Sequence, residues 1–198
     1  MGIKLRLTIM NFLEFFIWGS WLISMGSYMA LSLGFSGLQI GAIYATMGIA
    51  SMFMPGLLGI VADRWVNAER VLGACHLIGA AVMFFAATAT DYTTLYVLML
   101  INALVYMPTI ALNNAVSYNL LQENKYDVVK AFPPIRVWGT VGFIAAMWAV
   151  DFMGWTRSHE QLYVSAAAAL ILGIYAFSLP PTRPQNQKGD KSWVSAMG

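Results

Sequence analysis

Arg136, Thr140 and Phe143 stand at i, i+4 and i+7, which is one face of a helix. They combine a permanent cation, a hydroxyl and an aromatic plane. Such a set hydrogen-bonds the oxygens of a polar solute while a flat ring stacks on the phenyl group. The alternative is an arginine near a helix end that reaches lipid headgroups, with Thr140 bonding its own backbone. Glu14, within Asn11-Phe12-Leu13-Glu14-Phe15-Phe16, poses a second choice. Burial penalises the ionised form of a carboxylate, a property that a proton carrier needs. The same residue equally suits a pair with a cation on another helix, or a carboxylate reaching the inner interface. Asn102, Tyr106, Thr109 and Asn113 also follow helical spacing. Their face lines a cavity or joins a neighbouring helix by hydrogen bonds. Pro108 in the same segment predicts a kink. His76, beside Cys75, reads as packing and belongs to no metal pattern.

These residues sit in segments that must be membrane helices. Apolar types make up 59% of the 198 residues, charged types 10%, and mean hydropathy is +0.66. A soluble domain carries about 25% charged residues, so the composition points to an all-α membrane protein. Hydrocarbon about 30 Å thick needs roughly 20 helical residues per span. Six runs qualify, at about 7–32, 40–62, 71–89, 94–118, 134–153 and 161–179. The run from 7 is too long for the apolar part of a signal peptide and reads as a retained span. Pro133 and Pro134, just before Arg136, suit a helix start, where a missing amide hydrogen costs little. Gly139 and Gly142, or Gly56 and Gly59, offer places for close helix approach.

Charge sets the expected orientation. Of the eleven basic residues, Lys4, Arg6, Arg64, Arg70, Lys125, Lys130, Arg183, Lys188 and Lys191 fall on the amino-terminal side. Arg157 alone lies opposite, and Arg136 lies inside a span. Basic residues collect on the cytoplasmic side, so both ends are expected there. A net charge of +2 and the lack of a basic aromatic stretch argue against nucleic acid. One cysteine gives neither a disulfide framework nor a metal site. No nucleophile–base pair, metal-ligand cluster or phosphate loop suggests an enzyme or a cofactor.

Gly59-Ile60-Val61-Ala62-Asp63-Arg64, between the second and third runs, has a mechanical reading. Gly59 permits close approach, Asp63 caps or pairs with a helix end, and Arg64 adds a cytoplasmic charge. Contacts of that kind lock one conformation and break in another; an ordinary charged turn explains the charges but not the glycine. The stretch resembles the G-x-x-x-D-R/K loop motif of the major facilitator superfamily. The basic second part of that motif is absent, since Val66-Asn67-Ala68 stand there.

Further stretches resemble the bacterial nucleoside:proton symporters of that superfamily over essentially the whole chain. They include Trp18-Gly19-Ser20-Trp21, Gly26-Ser27-Tyr28-Met29, Met54-Pro55-Gly56, Tyr106-Met107-Pro108-Thr109, Ser117-Tyr118 and Gln161-Leu162-Tyr163. The longest and most specific is Phe132-Pro133-Pro134-Ile135-Arg136-Val137-Trp138-Gly139-Thr140. The resemblance implies the amino-terminal six-helix bundle of a transporter, built as a 3+3 inverted repeat. It implies proton-driven uptake of nucleosides across the bacterial inner membrane, with Arg136, Thr140 and Phe143 in the substrate cavity. Nucleoside, protons and lipid are then the partners, together with a missing carboxyl-terminal six-helix half. Glu14 stands where glutamine is expected in that family. Residues 181–198 look like the start of a central cytoplasmic loop, cut partway, which suggests a truncated chain. The alternatives are a carrier for another polar solute, such as a sugar or nucleobase, and a non-transporting assembly fragment.

Overall fold

The computed structural model describes residues 2–182 and Pro184; most of the expected central loop therefore lies outside the described residues. The described chain is helical: α1 (Ile3–Gly19), α2 (Met25–Leu31), α3 (Gly37–Arg64), α4 (Ala68–Ala86), α5 (Tyr92–Glu123), α6 (Val128–Phe152) and α7 (Glu160–Ala176). Helices α3, α4, α5 and α6 are each long and apolar enough to cross a membrane, and α7 is a shorter apolar helix.

Local chemistry explains the boundaries. Ser36 and Gln39 form a reciprocal capping box at the start of α3. Asp91 caps α5 by accepting from the Thr94 amide at 2.9 Å, and that bond holds its carboxyl below the ordinary carboxylate value. Asp127 caps α6 through the Val129 amide at 3.1 Å. This cap starts α6 six residues before the expected start at Pro134, so both prolines lie inside the helix. Helix α6 ends in a Schellman turn. Gly154 takes φ +74°, and the Trp155 amide donates to the Val150 carbonyl.

The apolar stretch 7–32 is divided at Ser20–Ser24. The Ser20 hydroxyl donates to the Ile17 carbonyl at 2.8 Å, and Gly19 precedes it. A Gly/Ser pair is a common point for a helix to bend. Two backbone approaches then fix the bundle. A Cβ on Gly142 would strike the Phe12 carbonyl oxygen, and one on Gly19 would strike that of Phe143, so α1 and α6 cross backbone to backbone. Gly73 and Gly173 do the same for α4 and α7; a Cβ on Gly73 would lie 3.1 Å from the Gly173 oxygen. Helix α5 packs against α3 on one side and α4 on the other. Behind the end of α7 the chain is tied back to α4. Thr182 donates its amide at 2.9 Å and its hydroxyl at 2.5 Å to buried Glu69.

The faces left open are apolar. Met52, Phe53 and Leu57 of α3 are exposed, as are Val137, Trp138 and Trp148 of α6. Gly56 and Gly59, read as sites of close approach, have open space where a Cβ would stand. Nothing among the described residues fills it.

Candidate functional site

The α1–α6 crossing decides what surrounds Arg136. With Gly142 against Phe12 and Gly19 against Phe143, the intervening turns bring Phe15 and Trp18 alongside the α6 stripe. The Arg136 guanidinium carbon lies 3.9 Å from the centre of the Phe15 ring. Gly139 makes room for this, since a Cβ there would lie 2.7 Å from the guanidinium and 2.6 Å from Phe15. A cation over an aromatic face gains about 0.5–2 kcal/mol and uses no hydrogen. Among the described residues Arg136 makes no ion pair and no hydrogen bond, so its donor fork is unspent. Thr140 is exposed one turn on, and Phe143 is half-buried two turns on.

Behind the stripe the aromatic contacts run inward. Phe143 meets Trp18 edge-on, with ring centres 6.3 Å apart, and Trp18 meets Tyr106 of α5 at 6.1 Å. The Trp18 indole N–H is buried and finds no acceptor among the described residues. Tyr106 donates its hydroxyl to the Glu14 backbone carbonyl at 2.7 Å.

Glu14 lies beneath this layer and is fully buried. Its Oε2 is 2.8 Å from His76 Nε2, and its Oε1 is 2.6 Å from Thr109 Oγ1. His76, read from the sequence as packing, is thus the direct partner of the buried Glu14 carboxylate. A mid-span ionisable group requires a partner, and that rule applied to Glu14 was the available signal. Thr109 was visible in the α5 spacing; Phe15 and Trp18 gave no signal beyond being aromatic.

The other α5 candidates are placed differently. Asn113 is fully buried and donates to the Asn11 side-chain oxygen of α1 at 2.8 Å. Asn102 is buried beside Gly79 of α4. Gly59, Asp63 and Arg64 occupy the last turns of α3, because the helix continues through Arg64. Asp63 and Arg64 are exposed and make no ion pair among the described residues.

The described bundle is thus apolar, with an arginine that has no ion pair among the described residues on an open face of α6. Comparison with known proteins gives the family. The chain matches the family described as Nucleoside H+ symporter over residues 1–198 and belongs to it. It is 48% identical to the nucleoside permease NupG of Escherichia coli (strain K12) over 198 residues, covering 100% of this chain and 47% of that protein. It is 49% identical to the xanthosine permease of the same organism, with the same coverage. A crystal structure of nucleoside transporter NupG superposes with a TM-score of 0.91, at 48% identity, covering 100% of this chain and 49% of that one. The chain spans about half the length of the curated relatives it matches.

Proposed function

We propose that the chain is the amino-terminal half of a carrier that moves nucleosides into a bacterial cell with protons, across the inner membrane. Six spans are counted by joining α1 with α2 and including α7, as two three-span units with both ends cytoplasmic. The one-sided distribution of basic residues supports that orientation. A second six-helix half covers the open faces of α3 and α6, and the two halves rock about a site between them. Gly59, Asp63 and Arg64 meet that half as a conformational latch. Residues 181–198 begin the connection to it.

The observation that carries this reading is the free donor fork of Arg136, laid on Phe15 beside exposed Thr140 and half-buried Phe143. Arginine without a counter-anion is costly in a membrane span unless the site uses it. The guanidinium and Thr140 hydrogen-bond the oxygens of a nucleoside, and Phe143 stacks on its base. Tyr106 backs this face through Trp18. Asn102 and Asn113 reach the pathway only when α5 shifts against its neighbours.

Arg136→Ala in the complete transporter tests the assignment. Hydrogen bonds to a charged group contribute about 1.5–3 kcal/mol, so uptake of labelled uridine at low concentration falls roughly ten- to a hundredfold. Unchanged uptake would remove Arg136 from the substrate site. Competition by sugars and nucleobases in the same assay separates nucleoside uptake from carriage of another polar solute.

A further inference from the structure

We propose that Phe15 is a positioning residue that holds Arg136 ready for substrate, in a notch that Gly139 leaves open for both side chains. This deepens the reading of Arg136 as part of the nucleoside site and rests on it. The guanidinium carbon lies 3.9 Å from the centre of the Phe15 ring, well within the reach of a cation over an aromatic face. That contact uses no hydrogen, so the N–H donors of the fork stay available to a ligand. Phe15 is itself held in place. It is 7% exposed, and its ring centre is 6.4 Å from that of Trp18. A Cβ on Gly139 would lie 2.6 Å from Phe15 Cδ2 and 2.7 Å from Arg136 Nη1, so one absent methyl group makes room for both partners. The neighbouring acid does not compete for the cation. Glu14 places Oε2 2.8 Å from His76 Nε2 and Oε1 2.6 Å from Thr109 Oγ1, so both carboxylate oxygens already have partners.

The gain from such a contact is preorganisation. A free arginine samples many rotamers, and a ligand that binds it must pay for ordering them. An arginine already laid on a ring has lost that freedom before the ligand arrives, so affinity rises without any new contact to the ligand. The helix crossing makes the arrangement rigid. Gly142 against Phe12 and Gly19 against Phe143 flank Phe15 along α1, so its ring cannot withdraw while the crossing holds. Packing alone would ask only for an apolar side chain of this size, which leucine nearly supplies. Holding a cation asks for the π face, which leucine lacks and tyrosine keeps. The two roles therefore separate by substitution.

The test uses the complete transporter in liposomes, with labelled uridine uptake giving KM and maximal rate. Phe15→Leu is expected to raise KM about three- to thirtyfold, the range of a lost cation–π contact. The maximal rate is expected to stay within about twofold, because the loss falls on binding. Phe15→Tyr restores an aromatic face and recovers most of the lost affinity. In an Arg136→Ala background, equilibrium binding of uridine is expected to weaken by less than about twofold when Phe15→Leu is added, since the ring acts through the guanidinium. An unchanged KM in Phe15→Leu, no recovery in Phe15→Tyr, or the full loss repeated without Arg136 overturns the proposal. If Phe15→Leu does not give a single peak in detergent, Phe15→Met takes its place with the same expectations. Phenylglyoxal, which modifies guanidinium groups, reports the contact without a nucleoside. Arg136 is expected to react at least about twofold faster in Phe15→Leu than in the unmodified protein, followed by mass spectrometry of its peptide. Equal rates overturn the positioning role. Failure of the unmodified protein to take up uridine would instead overturn the carrier reading, with the phenylglyoxal rates judging Phe15 independently.

Discussion

Gly142→Leu is expected to prevent assembly of the helical bundle. A Cβ at this position would strike the Phe12 carbonyl oxygen and lie 3.0–3.1 Å from that residue's carbonyl carbon and Cα. All three obstructing atoms are backbone, so no rotamer change relieves the contact. Helix α1 would have to move away from α6, taking with it Gly19 against Phe143 and Phe15 beneath Arg136. Overpacking a core commonly costs about 1–3 kcal/mol; displacement of a whole helix by a leucine lies at or beyond the upper end. Size-exclusion chromatography of the complete transporter in detergent checks this, with aggregate expected in place of a single peak. Gly79→Ala is the control. Its Cβ would sit 3.7 Å from Asn102 Oδ1, an ordinary contact, and the peak is expected to remain. A monodisperse, thermally unchanged Gly142→Leu protein would show that α1 and α6 do not cross as described.

His76→Leu is expected to destabilise the protein by about 3–5 kcal/mol, the range for removing one member of a buried charge-bearing pair. Glu14 Oε2 would face hydrocarbon in place of the imidazole 2.8 Å away. Glu14→Leu is costly for the reciprocal reason, since both the His76 Nε2–H and the Thr109 hydroxyl lose their acceptor. The double variant removes the polar pair together and restores much of the loss. Denaturant unfolding in detergent gives the coupling, which is large if the two groups act as a unit. Additive losses in the double variant would mean that the side chains do not interact.

The α6 stripe was legible because α6 is regular. Spacing alone placed Arg136, Thr140 and Phe143 on one side, and an early cap at Asp127 leaves that phase unchanged. What faces them was not legible. Phe15 and Trp18 come from a helix more than a hundred residues earlier, and their approach depends on two glycines meeting partner backbone, which no local pattern encodes. His76 was obscured for the same reason. It is 62 positions from Glu14, and an imidazole among apolar residues has no periodic signature. The division of the first apolar stretch was hidden by its hydropathy, which continues through Trp18-Gly19-Ser20-Trp21. The bend depends on a Gly/Ser pair and a serine that bonds its own helix. Hydropathy pointed to apolar helices, since only helices satisfy the backbone of a single span in lipid, and four described helices are long and apolar enough to cross a membrane. It carried no information on the α3 surface around Gly59, where a Cβ would meet open space.

The central claim is that the Arg136 face belongs to a carrier driving nucleosides inward with protons. Its most direct test is accumulation of labelled uridine by the purified complete transporter in sealed liposomes under an acid-outside pH gradient. The proposal predicts accumulation above the external concentration, collapse on addition of a protonophore, and loss of both when Arg136 is alanine. Accumulation that ignores the gradient, or an equal signal from protein-free liposomes, would contradict the account.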